Sequence, residues 1–122
     1  MKQHSSGFLS LVADAKKNVS ELTSQELKEK IAGHESFCLI DVREDNEWVT
    51  GHITGAIHLS KGIIERDIEK QISTDKQIVV YCSGGFRSAL VANTLQMMGY
   101  NDVYSVDKGL QGWIDAGFSI EN

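Results

Sequence analysis

The chain has 122 residues and a net charge of -5, with 17 acidic and 12 basic side chains, 41% hydrophobic and 24% charged residues. That is the length of one domain with a real core, and the composition excludes a disordered chain. The acidic balance argues against a basic nucleic-acid-binding face, and no stretch approaches the roughly 18 uncharged apolar residues of a membrane span.

Two cysteines, Cys38 and Cys82, are too few for a disulfide framework, so a reducing compartment, the cytoplasm, is expected. Met1 to Ser10 carries one lysine and no long apolar run, so no signal peptide is expected. Proline is absent, and turns fall to the 11 glycines and to Asn, Asp and Ser.

In chain order, residues 6–18 read as a helix with Leu9, Val12, Ala13 and Lys16 at helical spacing and Ser6 as cap. Residues 1–18 are expected to form a helical extension packed on a domain of residues 19–122. Val19 to Leu22 is short and extended. Thr23-Ser24-Gln25-Glu26 has the form of a capping box and opens a helix to Ala32, stopped by Gly33. Phe37 to Val42 is a continuous apolar run with an acid near its end, as in a strand buried on both faces. Residues 44–50 read as a helical turn and 56–59 as a short strand. Ile64, Ile68 and Ile72 predict an amphipathic helix over 62–72. Gln77 to Cys82 is the strongest strand pattern, and residues 83–87 a tight loop. A helix over 88–98 turns Leu90, Val91, Thr94, Leu95 and Met98 inward. A strand at 102–106 and a short helix at 109–116 around Trp113 complete the chain. Strands alternating with helices predict an α/β domain with a largely parallel sheet between two helix layers.

In open α/β sheets, ligands bind beyond the carboxyl ends of the strands. Cys82 closes the most apolar strand there, and Ser83-Gly84-Gly85-Phe86-Arg87-Ser88 leads straight into a helix. The two glycines allow the N–H groups of residues 83–88 to converge into an anion-binding nest. The helix N-terminus adds partial positive charge, and Arg87 adds a full one. A cysteine in such a cradle is expected to stand as a thiolate nucleophile. The same amides would hold an anionic covalent product, such as a terminal persulfide Cys82–S–S⁻.

Other candidates read as scaffold. If their strands are neighbours, Cys38 and Cys82 stand roughly 13 Å apart along the sheet, too far for a direct disulfide, and Cys38 reads as a core residue. His34, His52 and His58 match no metal-ligand spacing, so no metal is expected; His52 is expected to hydrogen-bond backbone and His58 to be structural. Asp41 and Arg43 should pair if buried, with Glu47 as a further partner for Arg43. Trp48 and Trp113 read as core. Phe86 reads as an exposed apolar tip that guides a partner or gates the site. Arg87 can pair with a scaffold acid as well as bind an anion.

Leu39-Ile40-Asp41-Val42-Arg43-Glu44, Glu47-Trp48, Gly51-His52-Ile53 and Gly55-Ala56-Ile57 resemble the first signature of rhodanese-like domains. Tyr81-Cys82-Ser83-Gly84-Gly85-Phe86-Arg87-Ser88-Ala89 resembles their active-site loop. Gly99-Tyr100, Val103-Tyr104 and Gly112-Trp113 to Gly117-Phe118 resemble their closing segment. The resemblance runs from about Val19 to Ile120. It implies a rhodanese-like α/β fold, a five-stranded, mostly parallel sheet flanked by helices on both faces. It implies a sulfurtransferase without cofactor that moves a sulfane sulfur from thiosulfate or a related small anionic donor to cyanide, a thiol or a protein acceptor. The sulfur would pass through a persulfide on Cys82, bound by Ser83 to Ser88. Three positions depart from the family pattern: Ser83 replaces a basic residue, leaving Arg87 as the loop's only cation; Ser60 replaces a proline; Lys108-Gly109 replaces a glycine pair. The alternatives are a non-catalytic rhodanese-like binding or sulfur-carrier module, and a cysteine phosphatase or arsenate reductase. The latter resemble a loop with five residues between Cys and Arg, against four here.

Overall fold

The computed structural model describes residues 3–122, so the first two residues of the expected 1–18 extension lie outside it. The elements in order are α1 (Ser6–Lys16), β1 (Ser20–Leu22), α2 (Ser24–Ala32), β2 (Cys38–Asp41), α3 (Asp45–Trp48), β3 (Ile57–His58), α4 (Ile64–Asp67), β4 (Ile78–Tyr81), α5 (Phe86–Met97), β5 (Val103–Val106) and α6 (Gly109–Asp115). The five strands form one sheet in the order β1-β5-β4-β2-β3, and every neighbouring pair is parallel. All the strands' carboxyl ends therefore lie along one edge, where Cys82 follows β4.

The sheet is covered on both faces, as the alternation of strands and helices predicts. Along β4, Ile78 and Val80 face one core with Ile64, Ile68, Val91 and Leu95, from the α4–α5 side. Val79 and Tyr81 face the other with Leu27, Leu110 and Trp113, from α2 and α6. All four residues of β4 are fully buried, which is why that run is continuously apolar. Outside this sandwich, α1 lies against α5 and buries Val12 and Ala15.

Several local expectations shift. Ser5 rather than Ser6 caps α1, its Oγ accepting from Phe8 N at 3.2 Å. The capping box at α2 forms as expected: Thr23 Oγ1 accepts from Glu26 N and Glu26 Oε1 from Thr23 N. Gly33 ends that helix with φ -81°, and the left-handed residue is His34, at φ 51°. The expected helix over 62–72 is α4 followed by a tighter 3₁₀ turn at Ile68–Lys70; Ile64, Ile68 and Ile72 are buried all the same, since the pattern constrains burial more than winding. Helix α5 starts two residues early, at Phe86, and buries Ser88, Ala89, Val91, Ala92 and Leu95. Leu90, Thr94 and Met98 are only half-buried, because α5 serves both the sheet and α1.

Candidate active site

Helix α5 begins without a capping side chain, because its N-cap is Gly85, at φ 94°. The Cys82 sulfur takes that place. Gly85 N donates to Sγ at 3.1 Å and Ser88 N at 3.4 Å. These are the N-cap and third-position amides, the same two that the Thr23–Glu26 box satisfies on α2. The sequence predicts a ring of amides from 83 to 88; the structure aims those of Gly85 and Ser88 at the sulfur. Cys82 is 1% exposed, while Ser83 and Gly84 are open to solvent.

The loop carbonyls are held from the other side. Leu110 N donates to Cys82 O at 2.8 Å and Gln111 N to Ser83 O at 3.0 Å, so the free amides at the start of α6 anchor the loop. A Cβ on Gly109 would lie 2.4 Å from Cys82 O, so no side chain fits there. A Cβ on Gly85 would lie 2.0 Å from Asp107 O. The β5–α6 connection thus shapes the loop, a contact with no signal in the sequence beyond Gly109 itself.

Ser105 escapes sequence reasoning; it reaches the sulfur through Ser88, which belongs to the expected loop. Ser88 Oγ lies 3.5 Å from Cys82 Sγ, within reach of the thiol, and 2.8 Å from Ser105 Oγ on β5. Both serines are fully buried. A buried serine in an apolar strand needs a partner, and that polar interruption at Val103-Tyr104-Ser105-Val106 is the signal that could have found it.

The ion pairs divide differently from expectation. Arg43 pairs with Asp41, Nη2 to Oδ2 at 2.8 Å, and also donates to Gly51 O at 2.6 Å. Burial works against the Arg43 charge, and Asp41 more than offsets it, holding the guanidinium above its usual range. Glu47 is not the partner of Arg43. It binds Arg87 in a two-pronged bridge, at 2.7 and 3.0 Å. Glu47 on α3 thus reaches the first turn of α5. The Arg87 guanidinium holds the Glu47 carboxyl down to about 2, against an ordinary 4.5. A depressed carboxyl contributes stability that is fully present above its unfolded value and is lost as pH falls toward the folded one. Comparing native protein with Glu47→Gln by urea unfolding, the native advantage is expected to be about 1 kcal/mol and flat above pH 5. It should shrink from pH 4.5 toward 2; a gap that stays constant down to pH 2 contradicts this assignment.

The rhodanese-like domain family model matches residues 23–116. The chain belongs to the rhodanese-like domain family. It is 38% identical over 78 residues to the thiosulfate sulfurtransferase GlpE of Tolumonas auensis, covering 64% of this chain and 73% of that protein. It is 38% identical to the putative sulfurtransferase YtwF of Bacillus subtilis, covering 78% of this chain and 90% of that protein. Among solved structures, a protein of unknown function from Rhodopseudomonas palustris, described as a possible tyrosine phosphatase, is similar with a TM-score of 0.86 and 31% identity, and each chain covers 99% of the other.

In this rhodanese-like chain Phe86 is not an exposed tip. It is half-buried on the first turn of α5 beside α1, its ring 4.9 Å from that of His4 and 6.3 Å from that of Phe8. Local sequence gives no hint of where α1 docks. Trp113 is buried core, whereas Trp48 is half-buried between His52 and His58, with ring separations of 3.5 and 4.9 Å. His52 Nδ1 is 3.2 Å from Trp48 O, the backbone contact expected of it, and His58 Nε2 is 2.7 Å from Arg43 O. Cys38 pairs in register with Ile78, is half-buried against the core, and is a free thiol like Cys82. Clefts of about 340 Å³ beside Phe37 and Thr54, and about 250 Å³ beside Leu11 and Met97, include no residue of the loop. Among the described residues, no three His, Cys, Asp or Glu side chains gather as metal ligands, and no helix is long and apolar enough to cross a membrane.

Proposed function

We propose that this rhodanese-like chain is a sulfurtransferase that carries a sulfane sulfur on Cys82. The Cys82 thiolate attacks the outer sulfur of a donor. A new S–S bond forms, and the donor's bond to that sulfur breaks with its electrons leaving on the donor, as sulfite from thiosulfate or as a thiolate from a persulfide. An acceptor then attacks the terminal sulfur and releases Cys82 as thiolate; a thiol acceptor leaves as a persulfide and cyanide as thiocyanate. In this reading Ser83 to Ser88 bind the persulfide, Asp41, Arg43 and Glu47 support the loop, and residues 1–18 are an extension of a domain over 19–122. The free thiols suit the cytoplasm.

The observation that carries the reading is the sulfur held as the cap of α5 by Gly85 N and Ser88 N. Amides aimed at one atom stabilise an anion there without a general base. The family match and the sulfurtransferase relatives support the same chemistry.

The likeness to a possible tyrosine phosphatase favours a second reading. Against it, only Ser83, Gly84, Gly85 and Phe86 separate Cys82 from Arg87, which makes a small ring, and Arg87 is bound to Glu47. Asp41, at the end of β2, is buried and bound to Arg43.

Intact mass spectrometry after incubation with thiosulfate, and separately with cysteine hydropersulfide, tests the proposal. A gain of one sulfur atom is expected from at least one donor, lost on adding cyanide or a thiol, and absent in Cys82→Ala. No gain from either donor, or a gain retained in the variant, overturns it. Hydrolysis of p-nitrophenyl phosphate that depends on Cys82 would establish the phosphatase instead.

A further inference from the structure

We infer that Ser105, on β5, is a positioning residue for Cys82: its hydroxyl directs the Ser88 hydroxyl at the sulfur when that sulfur carries negative charge. This rests on the persulfide reading of Cys82.

Ser105 follows Val103 by two residues, so both face the α5 side of the sheet, where Val103, Val80 and Cys82 share one core. The register of β5 sets Ser105 beside Val80, two residues before Cys82. From there its Oγ lies 2.8 Å from Ser88 Oγ, which lies 3.5 Å from Cys82 Sγ. Both serines are fully buried, so bulk water does not compete for their hydroxyls.

Two hydroxyls at that distance share one hydrogen bond, and either is able to donate it. The charge on the sulfur decides which does. A thiol S–H donates to Ser88 Oγ, and Ser88 in turn donates to Ser105 Oγ. A sulfur anion has no proton to give and draws the Ser88 O–H, because a charge-assisted bond is the stronger one. Ser105 must then donate to Ser88 Oγ, which polarises the Ser88 O–H toward the anion. Without Ser105, the Ser88 hydroxyl is free to turn to a carbonyl one turn back in α5, a common alternative for a helical serine.

The arrangement matters most in discharge. Cyanide attacks the terminal sulfur of Cys82–S–S⁻. A C–S bond forms, the S–S bond breaks, and its electron pair stays on Cys82 Sγ as thiocyanate leaves. Negative charge therefore grows on the atom that Ser88 faces. A hydroxyl already directed there by Ser105 stabilises that charge without reorganising at the moment of reaction.

The test loads the full chain from thiosulfate or cysteine hydropersulfide, removes the donor, and follows thiocyanate release after adding cyanide. Ser88→Ala is expected to slow release about 30-fold, the scale of one hydrogen bond to a charged group. Ser105→Ala should slow it about fivefold, since the Ser88 hydroxyl remains but is no longer directed. The double variant should be no slower than Ser88→Ala alone, because Ser105 acts through Ser88. Ser105→Thr and Ser105→Val add the same bulk, and only the first keeps the hydroxyl; it should release thiocyanate about fivefold faster than the second. A purely structural role for Ser105 requires instead that the two alanine effects multiply and that the threonine and valine variants match. Either of those results, or a native rate in Ser105→Ala, overturns the inference and leaves the persulfide reading standing. A chain that loads from neither donor overturns that reading, and the inference with it.

Discussion

Asp41→Ala is expected to cost about 3–5 kcal/mol of folding stability, a large part of what a domain of this size possesses. The carboxylate is fully buried and accepts from Arg43 N, Nε and Nη2 at 2.8–3.1 Å. Without it, a guanidinium only 4% exposed keeps Gly51 O as its one remaining partner. The desolvation already incurred by Arg43 then has nothing to offset it. Next door, burial and then the Asp41 charge keep the Tyr81 phenol protonated, and its oxygen accepts from Ile53 N at 3.1 Å. The substitution therefore opens a polar cluster under the carboxyl ends of β2 and β4. Urea unfolding should show a shifted midpoint with little change in slope; a loss under 1 kcal/mol would mean the pair is open to water. The double variant Asp41→Leu with Arg43→Met should recover much of the loss, because neither charge is then left alone.

Gly85→Ala is expected to slow persulfide formation by about 100-fold, the usual cost of one lost anion-hole donor. A Cβ there would stand 2.0 Å from Asp107 O, backbone that cannot swing aside, and φ is 94°. The chain must rotate or the β5–α6 connection must retreat. Either way Gly85 N leaves the sulfur and α5 loses its cap. Stability should fall as well, by about 2 kcal/mol. Gly62→Ala is the control, since nothing lies within 4 Å of a Cβ there; it should change stability by less than about 0.5 kcal/mol. A Gly85→Ala enzyme with native rates would show that the amide does not hold the reacting sulfur.

The fold was legible because its signals are local. Runs such as Ile78 to Tyr81, the Thr23–Glu26 box and the 64-68-72 isoleucines each state an element without reference to the rest of the chain. The buried Asp41–Arg43 pair was legible for the same reason, since its members are two residues apart. What stayed hidden depends on how distant segments meet. The Glu47–Arg87 bridge spans 40 residues, and either arginine could have taken that carboxylate. Phe86 looked like a loop tip because nothing in its neighbourhood announces that α1 will lie over it. Ser105 reaches Cys82 only through Ser88, from a strand 17 residues on. The sequence puts the start of α5 two residues late because its cap is a sulfur, an acceptor outside the usual set of helix-starting side chains.

That cap has a thermodynamic corollary. The amides that hold the sulfur also close the end of α5, so one free energy is shared between the chemistry of Cys82 and the integrity of a helix against the sheet. By linkage, whatever the fold gives to an anionic sulfur the anionic sulfur returns to the fold. Under the proposed chemistry, the charged forms of Cys82 tighten the helix start, and a blocked, neutral form such as an alkylated thiol loosens it.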